Sequence, residues 1–135
     1  MAGEERQFQR WFVGEWEKGG RWAENIHPSF GTKTGIPDLL LLVSNLMVPI
    51  EVKTGVLKDG YLKVSDVRPA QIRWSRKFVA HGGKCGLIAG LRKDKEWEIA
   101  VVQNEAWWTG RTVFSDGDFV VVESPFRALI HLLSQ

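Results

Sequence analysis

Three ionisable residues are spaced so that they could do chemistry together: Asp38, Glu51 and Lys53. Ser44 and Asn45 suit the two-residue turn of a β-hairpin, and that turn places Asp38 directly opposite Glu51. Lys53 shares their face because strand side chains alternate with a period of two. Two carboxylates this close suit a hard cation such as Mg²⁺, which keeps waters and binds phosphate. The pattern predicts metal-assisted phosphate chemistry, and a plain salt-bridge cluster is the alternative.

Charge is unevenly distributed along the chain, although the net charge of its 135 residues is only +2. Residues 53–95 contain eleven basic and three acidic side chains, a net charge of +8 that leaves −6 for the remainder. Such a segment predicts a surface that meets a polyanion, and solvated faces without a partner are the alternative. The candidate nucleic-acid-binding residues of this segment are Lys58, Lys63, Arg68, Arg73 and Arg76.

Composition is that of an ordinary globular protein, with 44% hydrophobic and 25% charged residues. The single cysteine, Cys85, excludes an intramolecular disulfide and a multi-cysteine zinc site. No apolar run approaches the roughly 18 residues of a membrane span. The N-terminal sequence MAGEERQFQR lacks the order of a signal peptide. We therefore expect a cytoplasmic protein with one domain over residues 1–135.

Periodicity predicts the elements that would position the candidate residues. An apolar stripe predicts a first helix over residues 3–18, and Pro69 predicts the start of a second helix that continues over residues 71–81. Residues 55–67 suggest an irregular or hairpin-like excursion, and residues 125–133 a final helix. Short apolar runs predict strands over residues 21–26, 39–43, 47–52, 85–91, 97–103 and 119–123. This order predicts an α/β fold with a central mixed β-sheet flanked by helices.

The second helix has four apolar side chains that are candidate core contacts: Ile72, Trp74, Phe78 and Val79.

The order of the candidate residues resembles a known pattern. Gly35-Ile-Pro-Asp38 is followed, after twelve residues, by Glu51-Val-Lys53. This spacing resembles that of the PD-(D/E)XK nuclease superfamily. Together with Glu5 on the first helix, the loop from Ser29 to Gly35, and Gln71 on the second helix, it is similar to the archaeal-type Holliday junction resolvases and the VRR-NUC nucleases.

The resemblance covers about residues 4–91 and implies a restriction-endonuclease-like core of helix, three strands, helix and strand. We therefore expect a nuclease core over about residues 4–103. Residues 104–135 match nothing in the pattern, and we expect them to form a C-terminal extension that packs on the core or lies at a dimer interface.

The resemblance also implies a role for each residue at the centre. Asp38 and Glu51 would ligate Mg²⁺, for which Mn²⁺ would substitute, and the main-chain carbonyl of Val52 would complete the inner shell. Lys53 would be the catalytic lysine.

Further residues would support this centre. Glu5 would contact the metal, directly or through water, and Glu4 is the competing choice. Gln71 would contact the attacking water or the scissile strand. The alternatives are an acid that favours the start of a helix and an exposed helix glutamine. The loop before Gly35 would bind a phosphate, or form an ordinary turn, with Ser29, Thr32, Lys33 and Thr34.

The function implied is that of a Holliday junction resolvase, an enzyme that makes paired symmetric nicks in four-way DNA junctions. Symmetric nicks imply a homodimer. The alternatives are a flap nuclease of the VRR-NUC type, another PD-(D/E)XK endonuclease, and a DNA-binding module without catalysis. Apolar residues available for an interface are the exposed member of Trp107-Trp108, which would face opposite ways in a strand, and Phe126, Leu129, Ile130 and Leu133. The alternative for the final helix is that it completes the core of the monomer.

Overall fold

A computed structural model of the protein describes residues 2–26 and 35–135. In these residues the helices are α1 (Ala2–Glu17), α2 (Pro69–Ala80), α3 (Asn104–Trp107) and α4 (Pro125–Leu133). The strands are β1 (Trp22–Asn25), β2 (Leu39–Val43), β3 (Leu46–Lys58), β4 (Tyr61–Val64), β5 (Gly86–Lys93), β6 (Glu96–Val102), β7 (Val113–Phe114) and β8 (Phe119–Val122).

The strands form one mixed sheet in the order β1-β2-β3-β5-β6-β8, with β4 paired to β3 and β7 paired to β4. The pairing of β3 with β5 is parallel, and α2 provides the crossover between them. The other pairs of the sheet are antiparallel. This arrangement confirms the predicted α/β fold with a mixed sheet flanked by helices.

The hairpin of β2 and β3 has the predicted register. Leu39 pairs with Ile50 and Val43 with Leu46. Ser44, in the turn, has a positive φ of 52°. Leu39 pairs with Ile50, so one position further along the same register Asp38 lies opposite Glu51.

Residues 55–67 begin as a regular hairpin. β3 continues to Lys58, turns at Asp59-Gly60 and returns as β4, with Lys58 paired to Tyr61. Asp59 and Gly60 have φ values of 54° and 82°, the left-handed conformations that a tight hairpin turn needs. β7 then pairs with the outer edge of β4.

α1 packs on one face of the sheet through Phe8, Phe12 and Trp16, all fully buried. Phe8 approaches the sheet closely at Gly90, where an added Cβ would collide with the phenyl ring. A small residue at this position therefore lets the N-terminal half of α1 lie against β5. The opposite face carries a second core around Leu62, Leu87, Trp107 and Phe114.

The predicted core contacts of α2 are largely wrong. The buried side chains of this helix are the polar residues Gln71 and Ser75. Ile72 packs against the second core only partly buried, while Trp74 and Phe78 stack on each other at 4.9 Å, half-buried. The helix turns a polar face to the sheet because Glu51 and Lys53 lie beneath it.

The C-terminal segment also corrects the sequence reading. Trp107 and Trp108 belong to the short helix α3 and its end rather than to a strand. Trp107 is buried, and the half-buried Trp108 donates a hydrogen bond from Nε1 to Ser75 Oγ at 2.9 Å. Neither is the exposed tryptophan that was expected.

α4 divides the apolar residues that could form an interface. Leu129 is buried in the core and Leu133 packs against it, so these two complete the monomer's core, the alternative for this helix. Phe126 and Ile130 are exposed. Among the described residues, no helix combines the length and apolar content needed to cross a membrane.

Candidate active site

A polar cluster is buried between β3 and the start of α2. Glu51 and Lys53 are each 3% exposed, and Gln71 is 4% exposed. Glu51 and Lys53 share one face of β3 because they are two residues apart. Burying charged groups is costly unless they are paired or bound to a cation, so this cluster has a stability cost that calls for a function.

Gln71 joins the two charged residues. Its Nε2 donates to Glu51 Oε2 at 2.8 Å, and its Oε1 accepts from Lys53 Nζ at 3.2 Å. The same Oε1 accepts from the backbone N–H of Arg68 at 2.9 Å, immediately before Pro69 starts α2. The amide is thereby fixed by the beginning of the helix. Gln71 positions Glu51 and Lys53, and the predicted contact with water or DNA stays a prediction.

Asp38 is held by hydrogen bonds to both its side chain and its main chain. Its Oδ2 accepts the backbone N–H of Val52 at 3.1 Å, and its carbonyl accepts the N–H of Ile26 at 2.9 Å. Three residues earlier, Gly35 has φ 76°, and a Cβ there would collide with the carbonyl of Ala70 in α2. The segment before Asp38 thus requires glycine where it packs on the helix that carries Gln71.

Glu51 has one unsatisfied oxygen. Its Oε1 is buried, and no N–H or O–H donor among the described residues reaches it, so only a proton shared with the Asp38 carboxylate or a cation could satisfy it. Burial and the neighbouring carboxylate of Asp38 together raise the pKa of Glu51 to about 9, although Lys53, 3.7 Å away, opposes the shift. A carboxyl group in this state requires either a proton or a cation to be stable.

Glu4 and Glu5 differ in what surrounds their side chains. Glu5 is half-buried, and burial raises the pKa of its carboxyl group. Lys53 lowers that pKa while Asp38 and Asp66 raise it, so Glu5 lies within reach of the cluster. Glu4 is exposed and faces a neighbouring groove. The metal contact of Glu5 stays a prediction.

Asp66 is a member of the cluster that sequence reasoning missed. Its Oδ1 lies 3.4 Å from Lys53 Nζ, although its side chain is mostly exposed. The signal was present in the turn. A two-residue turn at Asp59-Gly60 sets Gly55 opposite Val64, and continuing the same register sets Lys53 opposite Asp66.

The other predicted residues fall into two groups. The residues predicted to bind nucleic acid that the structure describes are all exposed: Lys58, Lys63, Arg68, Arg73 and Arg76. Arg76 also lies over the ring of Trp108, 5.7 Å from its centre. The candidate phosphate-binding residues Ser29, Thr32, Lys33 and Thr34 lie outside the described residues.

The donor set fits a hard divalent cation that keeps part of its hydration shell. Within residues 2–26 and 35–135, no three His, Cys, Asp or Glu side chains converge as a metal-binding group. What the cluster offers is the free Oε1 of Glu51 beside the carboxylate of Asp38. Mg²⁺ commonly takes one or two protein carboxylates and completes its shell with water and phosphate.

Comparison with known proteins gives a likeness among solved structures alone. No family model and no curated protein matches the chain. Among solved structures, it is similar to Hjc, a Holliday junction resolvase from the archaeal hyperthermophile Archaeoglobus fulgidus, with 20% sequence identity and a TM-score of 0.48. The match covers 69% of this chain and 72% of that chain. The function of this chain is therefore inferred from its own residues.

Proposed function

We propose that this protein is a metal-dependent endonuclease that hydrolyses phosphodiester bonds of branched DNA. The observation that carries the proposal is the buried Oε1 of Glu51, which has no partner among the described residues and lies beside a second carboxylate, Asp38. A purely structural salt-bridge cluster would satisfy that oxygen. A site that receives a cation would leave it free.

In this proposal, Asp38 and Glu51 hold Mg²⁺ or Mn²⁺, with Glu5 and the carbonyl of Val52 as further contacts. The cation, when bound, polarises the phosphoryl oxygen and lowers the pKa of coordinated water. Lys53 directs its ammonium group at the negative charge that develops on the phosphoryl oxygens. Gln71 fixes the positions of the Lys53 and Glu51 side chains through hydrogen bonds of 3.2 and 2.8 Å respectively.

The proposed substrate is a four-way junction, which the enzyme would resolve by two symmetric nicks. Five exposed basic residues that follow the catalytic residues along the chain would bind phosphates around the scissile bond. They are Lys58, Lys63, Arg68, Arg73 and Arg76. Two symmetric nicks require two copies of the site. A homodimer with twofold symmetry provides them.

The edge strand β8 offers a surface for such a dimer. Val120 and Val121 are 38% and 39% exposed, and β8 is the last strand in the order of the sheet. Natural edge strands usually carry charge or proline to prevent pairing, and the sequence Phe-Val-Val-Val of β8 has neither. Phe126 and Ile130, on α4, are further exposed apolar residues.

The decisive experiment compares four DNA substrates that are built from the same nucleotide sequences and differ only in structure. Labelled four-way junction, flap, duplex and single strand are incubated with the protein and Mg²⁺, and every nick is mapped. We expect paired nicks at symmetric positions of the junction. Cleavage confined to flaps would replace the resolvase with a flap nuclease of the VRR-NUC type. Tight junction binding with no nicks in Mg²⁺ or Mn²⁺ would leave a non-catalytic DNA-binding module.

The dimer is tested separately. Val121→Lys places a charge on the edge strand and is expected to shift the mass measured by light scattering from dimer to monomer. Paired nicks should then become single nicks. Met47→Lys changes another exposed apolar residue and should do neither. A wild-type protein that is monomeric at micromolar concentration would remove the dimer from the proposal.

A further inference from the structure

The end of β3, together with β4 and β7, forms a small three-stranded arm beyond the catalytic cluster. Its pairs are Lys58 with Tyr61, Val56 with Lys63, and Lys63 with Val113. These five side chains lie on one face because paired residues share a face and side chains alternate along each strand. We call them the outward face of the arm.

The inward and outward faces of this arm differ sharply. Leu62, Val64 and Phe114 point inward and are almost completely buried in the second core. All five residues of the outward face are exposed, with Val56 at 63% and Tyr61 at 53%. The inward face therefore packs the arm onto the second core, and the outward face presents an amphipathic surface to solvent.

The charges of the outward face select the partner. Lys58 lies across from Tyr61 and Lys63 across from Val56, so each apolar side chain has an ammonium group beside it. Lysine is depleted from protein–protein interfaces, whereas an aromatic ring flanked by cations is the arrangement that binds unpaired nucleotides. The ring stacks on a base while the cations meet the phosphates on either side.

The arm also borders a groove that reaches the start of α1. A groove of about 340 Å³ is lined by Val56 and Leu57 of the arm, by Arg92 and Lys93 of β5, and by Glu4. Glu4 precedes Glu5, the α1 residue that faces the catalytic cluster. A strand lying on the outward face of the arm can therefore continue into this groove, whose charged side chains are of both signs because Glu98 also lines it.

We propose that the outward face of the arm binds unpaired nucleotides, with one base stacked on Tyr61 and phosphates at Lys58 and Lys63. The inference rests on the proposed nuclease in one respect, namely that the bound strand leads to the scissile bond. It gives the enzyme a physical reason to distinguish a branch point from duplex, because base pairs at an open branch point lack one stacking neighbour and release a base at lower cost. Fully paired duplex offers no free base to Tyr61.

Binding is measured without cleavage, in chelator, by fluorescence anisotropy. The probes are a labelled oligo-dT of about 12 nucleotides, within the usual range of single-strand sites, and a duplex of the same length. Tyr61→Ala should weaken oligo-dT binding about 5-fold or more, as expected for the loss of one stacked base, and change duplex binding less than about 2-fold. Tyr61→Phe keeps the ring and should bind like wild type.

Two further variants separate stacking from charge and from folding. Lys58→Ala combined with Lys63→Ala should lower the slope of log affinity against log salt for oligo-dT by about 1.4, the value for two lost phosphate contacts. Trp22→Ala removes a comparably exposed aromatic residue from β1 and should leave both affinities unchanged.

The inference is overturned if Tyr61→Ala binds oligo-dT like wild type, or if it weakens oligo-dT and duplex equally while its thermal melt matches wild type. Dimer loss in Tyr61→Ala by light scattering would also overturn it, because the surface would then belong to a second copy. These outcomes are independent of catalysis. A protein that cuts no substrate but shows the selective Tyr61 effect would retain this inference and lose the proposed nuclease.

Discussion

The two halves of β3 place charged side chains in opposite environments. Glu51 and Lys53 in the first half are 3% exposed and share hydrogen bonds with Gln71. Lys58 at the end of the second half is exposed and has no ion-pair partner among the described residues. One strand thus leaves the core within five residues.

This difference predicts how strongly each half responds to substitution. In the buried half, removing one group leaves its partners desolvated and unpaired, which costs far more than the interaction itself is worth. In the exposed half, water and salt replace a lost contact, so each residue contributes little and nearly independently. Substitutions in the first half should therefore abolish function, and those in the second should weaken binding by small steps.

The largest effect is expected from the carboxylates and the buried lysine. Asp38→Asn, Glu51→Gln and Lys53→Ala should each lower the single-turnover cleavage rate by more than the roughly 10–100-fold loss typical of residues that only support a metal ligand. Junction affinity should be retained, since exposed cations provide most of it. Asp59→Asn at the arm's turn is the matched control for Asp38→Asn. Near-wild-type cleavage by Asp38→Asn would refute the site.

The metal should have a comparable effect. Mg²⁺ and Mn²⁺ should support cleavage, and excess chelator should abolish it. Ca²⁺ should permit junction binding with little turnover, because its larger and more loosely organised shell positions water and phosphate poorly. Nicking rates in each ion, with binding measured in parallel, provide the check. Undiminished cleavage in chelator would exclude metal-assisted hydrolysis.

Much of the site could be predicted from the sequence because its key contact is local. A two-residue turn at Ser44-Asn45 fixes the register of β2 and β3, and the register alone places Asp38 beside Glu51. The same reasoning at Asp59-Gly60 would have found Asp66. It did not, because residues 55–67 had no clear alternation of apolar and polar residues.

Long-range packing limited the rest of the prediction. The apolar residues of α2 suggested an apolar inner face, yet Gln71 and Ser75 are the buried ones. That outcome depends on Glu51 and Lys53 meeting α2 across the parallel crossover, which no local pattern encodes. The tryptophans of α3 were misassigned for a similar reason. A four-residue helix is too short to show helical periodicity.

Gln71 should give an intermediate effect, because it supports the charged pair without belonging to it. Gln71→Ala leaves Glu51 Oε2 and Lys53 Nζ without this partner, so we expect a loss of stability of about 1–3 kcal/mol and a roughly 10–100-fold slower cleavage. Gln7→Ala, an exposed glutamine of α1, is the control. If Gln71→Ala cleaves normally and melts normally, the amide has no positioning role.

Stability against pH tests the state of Glu51 without any DNA. In chelator, the folded protein holds a proton on Glu51 up to a pKa of about 9, whereas the unfolded chain loses it near 4.5. Between these values the folded state binds more protons, so this group's contribution is complete below pH 4.5 and is lost as pH rises toward 9. Melting temperature should therefore fall with pH more steeply in wild type than in Glu51→Gln.

Adding Mg²⁺ provides the control for that measurement. A cation binds the ionised form of Glu51, so it should raise the wild-type melting temperature most at high pH and leave that of Glu51→Gln nearly unchanged. Parallel pH profiles for the two proteins in chelator would show that Glu51 ionises normally. The unsatisfied oxygen of Glu51 would then not affect the pKa of its carboxyl group.

The smallest effect is expected at Lys58, and it gives the sharpest comparison with Lys53, since the two lysines lie on the same strand. Lys58→Ala should weaken junction binding only a few-fold, reduce the slope of log affinity against log salt by about 0.9, and leave the single-turnover rate at saturating protein within about 2-fold of wild type. Lys53→Ala should do the reverse, with a lost rate and an unchanged salt slope. Anisotropy titrations across a salt series, paired with single-turnover cleavage, measure both quantities. If Lys58→Ala lowers the saturated rate as much as Lys53→Ala does, the arm takes part in the chemical step, and the separation between a buried catalytic half and an exposed binding half of β3 is wrong.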